Sequence, residues 1–189
     1  MATGHRAFHR LCIQDGVLDG RASKARTASL RRREVGALAV HPTAQKLQQR
    51  LHEQGLDVEI RELSDSTRTA QEAADAVGAE LGQIVKSLVF VDGDGAVLCL
   101  CAGDRRVDTG KLGEGVRQAK ADEVREATGF AVGGVPPLGH ERPVRTVVDE
   151  SLRRFETLWC AGGTPHAVFP VETEALLAAL PAAQVRNIT

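Results

Sequence analysis

A chain of 189 residues that is 42% hydrophobic holds enough apolar material for one well-buried core and is too short for two comfortable domains. No apolar run approaches the roughly 18 residues a membrane helix needs, and with aromatics at 3% the core must be aliphatic. The formal net charge of −1 is uneven: residues 1–35 hold eight Lys/Arg against three Asp/Glu, a balance of +5, so the rest hold sixteen against twenty-two, a balance of −6. An acidic body excludes a protein that grips nucleic acid chiefly through the phosphate backbone, so any such contact must be local.

Residues 1–40 are expected to form a basic, disordered arm outside the fold, dominated by Arg31-Arg32-Arg33 and lacking apolar periodicity. A transit peptide shares that composition, and a start site assigned too far upstream is the simpler account. His5, His9 and Cys12 lie close together there but have no frame to fix them, and are read as binding no metal.

From Pro42 the pattern is regular. Ala44, Leu47 and Leu51 mark one face of a helix stopped by Gly55, and Leu56, Val58 and Ile60 alternate with charges as in a strand. Thr69 and Glu72 form a capping box opening a helix that ends at Gly78. Residues 84–91 and 96–102 read as strands joined by a hairpin turn at Asp92-Gly93-Asp94-Gly95. A short helix is expected over 109–115 and another over 122–128, then strands at 144–148, 158–161 and 164–171, with a last helix over 173–180. Cys99 and Cys101 would share one strand face, and with Cys160 and no C-x-x-C pair they are expected to be reduced residues of a cytoplasmic protein.

Two stretches carry chemistry. Lys86 begins an apolar strand, where an unpaired ammonium would cost several kcal/mol, so it must reach water, an acid or an anionic ligand; a lysine snorkelling from a strand end is the plain alternative. Gly133-Gly134-Val135-Pro136-Pro137 offers backbone donors only at its start, suited to a carbonyl oxygen or an oxyanion, against the plain alternative of a tight surface turn.

The order Gln83-Ile84-Val85-Lys86-Ser87-Leu88, Gly103-Asp104-Arg105-Arg106-Val107-Asp108, Gly133-Gly134-Val135-Pro136-Pro137-Leu138-Gly139 and Ala161-Gly162-Gly163 resembles the YbaK/EbsC family, free-standing relatives of the editing domain of bacterial prolyl-tRNA synthetase. The resemblance implies an α+β domain over residues 41–185, with a mixed, mostly antiparallel, partly barrel-like sheet surrounded by helices. It implies a trans-editing aminoacyl-tRNA deacylase that works without metal or cofactor. Carried over, Lys86 is the functional lysine, Gly133 to Pro137 the loop facing the substrate, and Ala161, Gly162 and Gly163 the pocket lining. His166 is left between a pocket hydrogen-bonding group and a surface histidine.

Members acting on cysteinyl-tRNA place a serine and an aspartate where this chain has Ala161 and Val168, so a small or medium amino acid other than cysteine is expected. Ser87 should face away from Lys86, which argues against a nucleophile. Arg105 and Arg106 are candidates for the tRNA backbone, or simply solvated loop arginines. The implied partner is the 3′ CCA end and acceptor stem of a mischarged tRNA, with a synthetase as a second partner, no membrane, and a monomer or homodimer. A non-catalytic module binding aminoacylated CCA ends or a synthetase is the alternative, and Schiff-base chemistry at Lys86 ranks last for want of an acid-base partner.

Overall fold

The computed structural model describes residues 40–63 and 69–189. Residues 1–39 of the expected arm, with His5, His9 and Cys12, lie outside the described residues, and Val40 already packs against the core. Helix α1, Pro42–Glu53, starts on its proline, with His41 Nδ1 accepting from the Thr43 N–H, and buries Ala44, Leu47 and Leu51 as the spacing predicts. The expected strand over 56–60 is the first departure. Leu56, Val58 and Ile60 are buried in alternation, but hydrogen bonds of this backbone go to α1: Gln48 Oε1 accepts from Ile60 N (2.8 Å) and His52 Nε2 meets Val58 O (3.0 Å). A side-chain partner here replaces a ladder, and only Arg61–Glu62 pairs as β1.

Helix α2, Ala70–Val77, carries the predicted capping box and ends at Gly78 in the left-handed region. Strands β2, Val85–Asp92, and β3, Gly95–Ala102, form the predicted hairpin, with Lys86 opposite Cys101. The helix expected over 109–115 shrinks to one 3₁₀ turn at Thr109–Lys111, because three glycines weaken it. Then follow β4 (Arg117–Gln118), α3 (Ala121–Thr128), β5 (Arg145–Asp149), β6 (Thr157–Ala161), β7 (Ala167–Glu172), α4 (Thr173–Ala178) and β8 (Gln184–Arg186).

One sheet runs β1-β7-β6 and is antiparallel. The other runs β4-β2-β3-β5-β8, antiparallel to β3 and parallel beyond it, so this sheet is evenly mixed and the two sheets together are mostly antiparallel, as expected. The sheets meet at a parallel bridge between Ile84 and Trp159, reinforced by Gln83 Nε2 donating to Thr157 O (3.0 Å). Val85, Val89, Leu98, Leu100 and Ala102 face the main core with Leu47, Leu51 and Phe169. Phe90, Val97, Cys99 and Cys101 face a second cluster with Val107, Val147 and Ile188. Burial on both faces explains why β3 reads as an unbroken apolar run.

Residues beyond Leu180, where the sequence shows no pattern, complete the larger sheet. β8 pairs with β5, and Ile188 is fully buried with its N–H on Asp149 Oδ2 (2.7 Å). Burial opposes the charge of Asp149, yet hydrogen bonds from Ser151 and Ile188 outweigh it and hold its pKa below the usual carboxylate value. Cys99, Cys101 and Cys160 are free and buried, and burial pushes the Cys99 thiol up to about 12. Among the described residues no helix is long and apolar enough to cross a membrane.

Candidate functional site

A cavity of about 280 Å³ opens beside the Ile84–Trp159 seam. Its position follows from an incomplete strand pairing. β4 covers only Phe90 and Val91, so among the described residues Val85 to Leu88 lack a strand neighbour on that side, and the cavity touches residues from both faces of β2 there. Trp159 to Ala161 of β6, Ala167 and Val168 of β7, and the small-residue face of α2 (Ala70, Ala73, Val77) form the other walls. Among the described residues, the side chains with hydrogen-bonding oxygen or nitrogen on the lining are Thr69, Lys86, Ser87 and Trp159.

Lys86 is half-buried, and its ammonium donates to the carbonyl oxygen of Arg105 on the loop after β3. The charge thus finds a backbone acceptor at the cavity wall. Burial raises the Cys101 thiol to about 11 while the nearby Lys86 charge opposes that rise. Ser87 lies on the other face of β2, as strand alternation requires, and also lines the cavity; its Oγ is buried without a hydrogen-bond partner among the described residues.

The glycine-proline loop is built differently from the expectation. Gly133, exposed and at φ +86°, and Val135 line the cavity, as does Val132, which is 60% exposed. Gly134 is buried, and its N–H is committed to Ala131 O (3.0 Å), closing a turn. A Cβ at Gly134 would stand 2.8 Å from the Thr164 Cα, so the absence of a side chain serves close packing of two loops. Of the expected donor pair, only Gly133 stays at the cavity. Pro136 and Pro137 are buried and do not line it; they carry the chain away toward His140. Burial lowers the His140 pKa to about 4, against a hydrogen bond with the Pro136 carbonyl, and its ring meets Phe130 edge-on at 5.9 Å.

Ala161 lines the cavity and is paired across the ladder with Val168, which joins two positions singled out from sequence. Gly162 and Gly163 do not line it. Gly162 N–H donates to Ala167 O (2.6 Å), and a Cβ there would sit 2.7 Å from Ile60 Cγ2. Gly163, at φ +95°, lets the chain turn against Phe130. His166 is exposed and belongs to a neighbouring cleft with His41, Glu62 and Arg125, separated from the cavity by Pro165, which borders both.

Sequence reasoning missed Trp159, Val132 and the α2 face. The signals were present: the only tryptophan of the chain, and a helix whose apolar stripe is mostly alanine, leaving room beside it. Among the described residues no group of three or more His, Cys, Asp or Glu gathers to hold a metal ion.

Residues 64–179 match the model of the aminoacyl-tRNA editing domain. Uncharacterized protein YwhH of Bacillus subtilis is 33% identical over 123 residues, 62% of this chain and 78% of that protein. Proline–tRNA ligase of Thermosipho africanus is 31% identical over 102 residues, 51% of this chain but 18% of the ligase. A crystal structure of a protein proposed to be a trans-editing enzyme for prolyl tRNA synthetase is similar at TM-score 0.75 and 49% identity, covering 80% of this chain and 99% of that one. Hypothetical protein APE2540 is similar at TM-score 0.69 and 31% identity, covering 76% and 98%. With a match over more than half its length, and with the motifs around Lys86, Gly133 and Gly162 in order, this chain belongs to the aminoacyl-tRNA editing domain family.

Proposed function

We infer that this protein is a cytoplasmic trans-editing deacylase that hydrolyses the ester between a small or medium amino acid and the 3′ end of a mischarged tRNA, without a metal or cofactor. The observation that carries this reading is an apolar cavity with one ammonium, Lys86, fixed at its wall. The ester is already activated, so the protein has to position it, steady its carbonyl oxygen and admit water. Water adds to the carbonyl carbon and the bond to the ribose oxygen breaks. The ribose oxygen leaves with one of the water's protons as the tRNA hydroxyl, the amino acid leaves as its carboxylate, and the water's other proton passes to solvent.

In this reading the aminoacyl side chain rests against Ala161, Val168 and Ala73, and neither Ala161 nor Val168 offers a polar side-chain group to a thiol. Lys86 supplies positive charge to the terminal phosphate or the developing oxyanion, and the Gly133 N–H is the remaining loop donor. The CCA end and acceptor stem are the partner surface, with a synthetase, a prolyl-tRNA synthetase above all, as the enzyme whose errors are corrected. The test is to incubate the purified protein with a panel of mischarged tRNAs and follow ester loss. Turnover of alanyl-sized to valyl-sized esters ahead of cysteinyl ester is expected. Binding of charged tRNA with no turnover on any member would replace this reading by a sequestering module.

A further inference from the structure

We propose that the loop 103–108 is a phosphate track, on which Arg105 and Arg106, with Lys86, hold the single-stranded 3′ end of an RNA as it enters the cavity. The proposal rests on the tRNA substrate inferred above and adds the surface that grips it.

The loop is fixed at both ends. Gly103 packs so closely on the Leu81 carbonyl that a Cβ would lie 2.2 Å from its oxygen, and the Arg105 N–H donates to Ala102 O (2.9 Å). At the far end Val107 is buried in the second core cluster, and the Asp108 N–H donates to Ile188 O (2.8 Å). The loop's carboxylates are also engaged. Asp104 takes Arg154 in a two-pronged pair (2.7 and 3.0 Å), and Asp108 Oδ1 accepts from Gly110 N (2.9 Å). Arg105 adds charge near Asp104, but neither Arg105 nor Arg106 forms an ion pair among the described residues, and both are exposed.

Location completes the argument. The Arg105 carbonyl is the acceptor of the Lys86 ammonium, and Lys86 lines the cavity, so the loop that carries the two arginines runs beside the cavity lysine. On a body carrying −6 outside the first 35 residues, two unpaired arginines on a stiff loop next to a third cation form a local positive site. Guanidinium groups match phosphate oxygens in geometry as well as charge. A strand whose terminal ester lies in the cavity would present its last phosphates here.

The experiment measures binding of full-length protein to uncharged tRNA by fluorescence anisotropy between 50 and 200 mM salt. Each phosphate contact to single-stranded nucleic acid contributes about 0.7 to the slope of log affinity against log salt. Arg105→Ala with Arg106→Ala should therefore reduce the slope by about 1.4 and weaken binding at the lowest salt by roughly 10-fold or more. Arg125→Ala, in the cleft beyond Pro165, should leave the slope unchanged. Activity on an aminoacyl-adenosine ester, which has no phosphate, should be the same in the double variant as in the unaltered protein. An unchanged slope in the double variant, an equal loss in Arg125→Ala, or no measurable tRNA binding would each overturn the track. Because the primary readout needs no turnover, tRNA binding with the expected slopes but no ester cleavage would sink the deacylase reading and leave the track standing.

Discussion

The cavity and the cleft beside it share Pro165 and differ in the ionisable groups they carry. The cavity is walled by alanines, valines and Trp159 with Lys86 as its one charged side chain, whereas the cleft gathers His41, Glu62, Arg125 and His166. Near Pro165 they are divided by two loops, 131–135 and 162–165, that touch backbone to backbone at Gly134 and Thr164. The comparison teaches that a family's glycines need not all serve a ligand. Gly133 meets the cavity, whereas Gly134, Gly162 and Gly163 make the partition thin enough to exist.

The largest expected effect breaks the cavity's single charge. Lys86→Ala should lower kcat/KM on the best mischarged tRNA by about 100-fold or more, the scale of one preorganised electrostatic contact, with little change in thermal stability. Near-normal turnover by this variant would remove Lys86 from the mechanism. Next comes the partition. Gly134→Ala forces a Cβ against the backbone of Thr164 and should cost roughly 3 kcal/mol in denaturant unfolding, whereas Gly133→Ala meets nothing closer than the Pro165 side chain at 3.6 Å and should cost only the strain of its positive φ, about 1–2 kcal/mol. Equal costs would mean that the loops do not pack as described.

Behind the partition, His140 offers a pH test. Its folded pKa of about 4 lies below the ordinary histidine value, so the unfolded chain binds the extra proton between pH 6.5 and pH 4. Stability should therefore fall by roughly 3 kcal/mol as pH drops through that window and be flat above it, and His140→Gln should flatten the slope. A slope unchanged in that variant would assign the acid sensitivity elsewhere. The smallest effects separate cavity from cleft directly. Ala161→Ser should shift relative rates among small aminoacyl esters by up to about 10-fold, while His166→Ala should change none of them by more than roughly twofold. The reverse ranking would place the aminoacyl group in the cleft.

Much of this was legible in the sequence where one local rule decided the outcome. The Thr69–Glu72 box, the helix opened by Pro42 and the 92–95 hairpin depend on neighbours a few residues away, and all three formed as expected. The misses depend on distant partners. Nothing in Leu56 to Ile60 announces that Gln48 and His52 would take its backbone bonds, and β4 and β8 are too short to show alternation. The same holds at the site. Lys86 stood out because a charge in an apolar run needs explaining, but that Gly134 would spend its N–H on Ala131, and that His166 would fall on the far side of Pro165, followed only from how two loops meet.

The parallel pairing of β5 with β8 also orders events during synthesis. β5 is buried along Thr146 to Asp149, and one of its two sides is covered only by a strand made some 35 residues later in the chain. Until residues 184–186 leave the ribosome, that side presents unpaired backbone groups and apolar side chains together, a template onto which a second nascent chain could add a strand. A chain cut before Gln184 should accordingly be recovered in aggregates rather than as a slightly shortened monomer, although it would keep all of the cavity's lining.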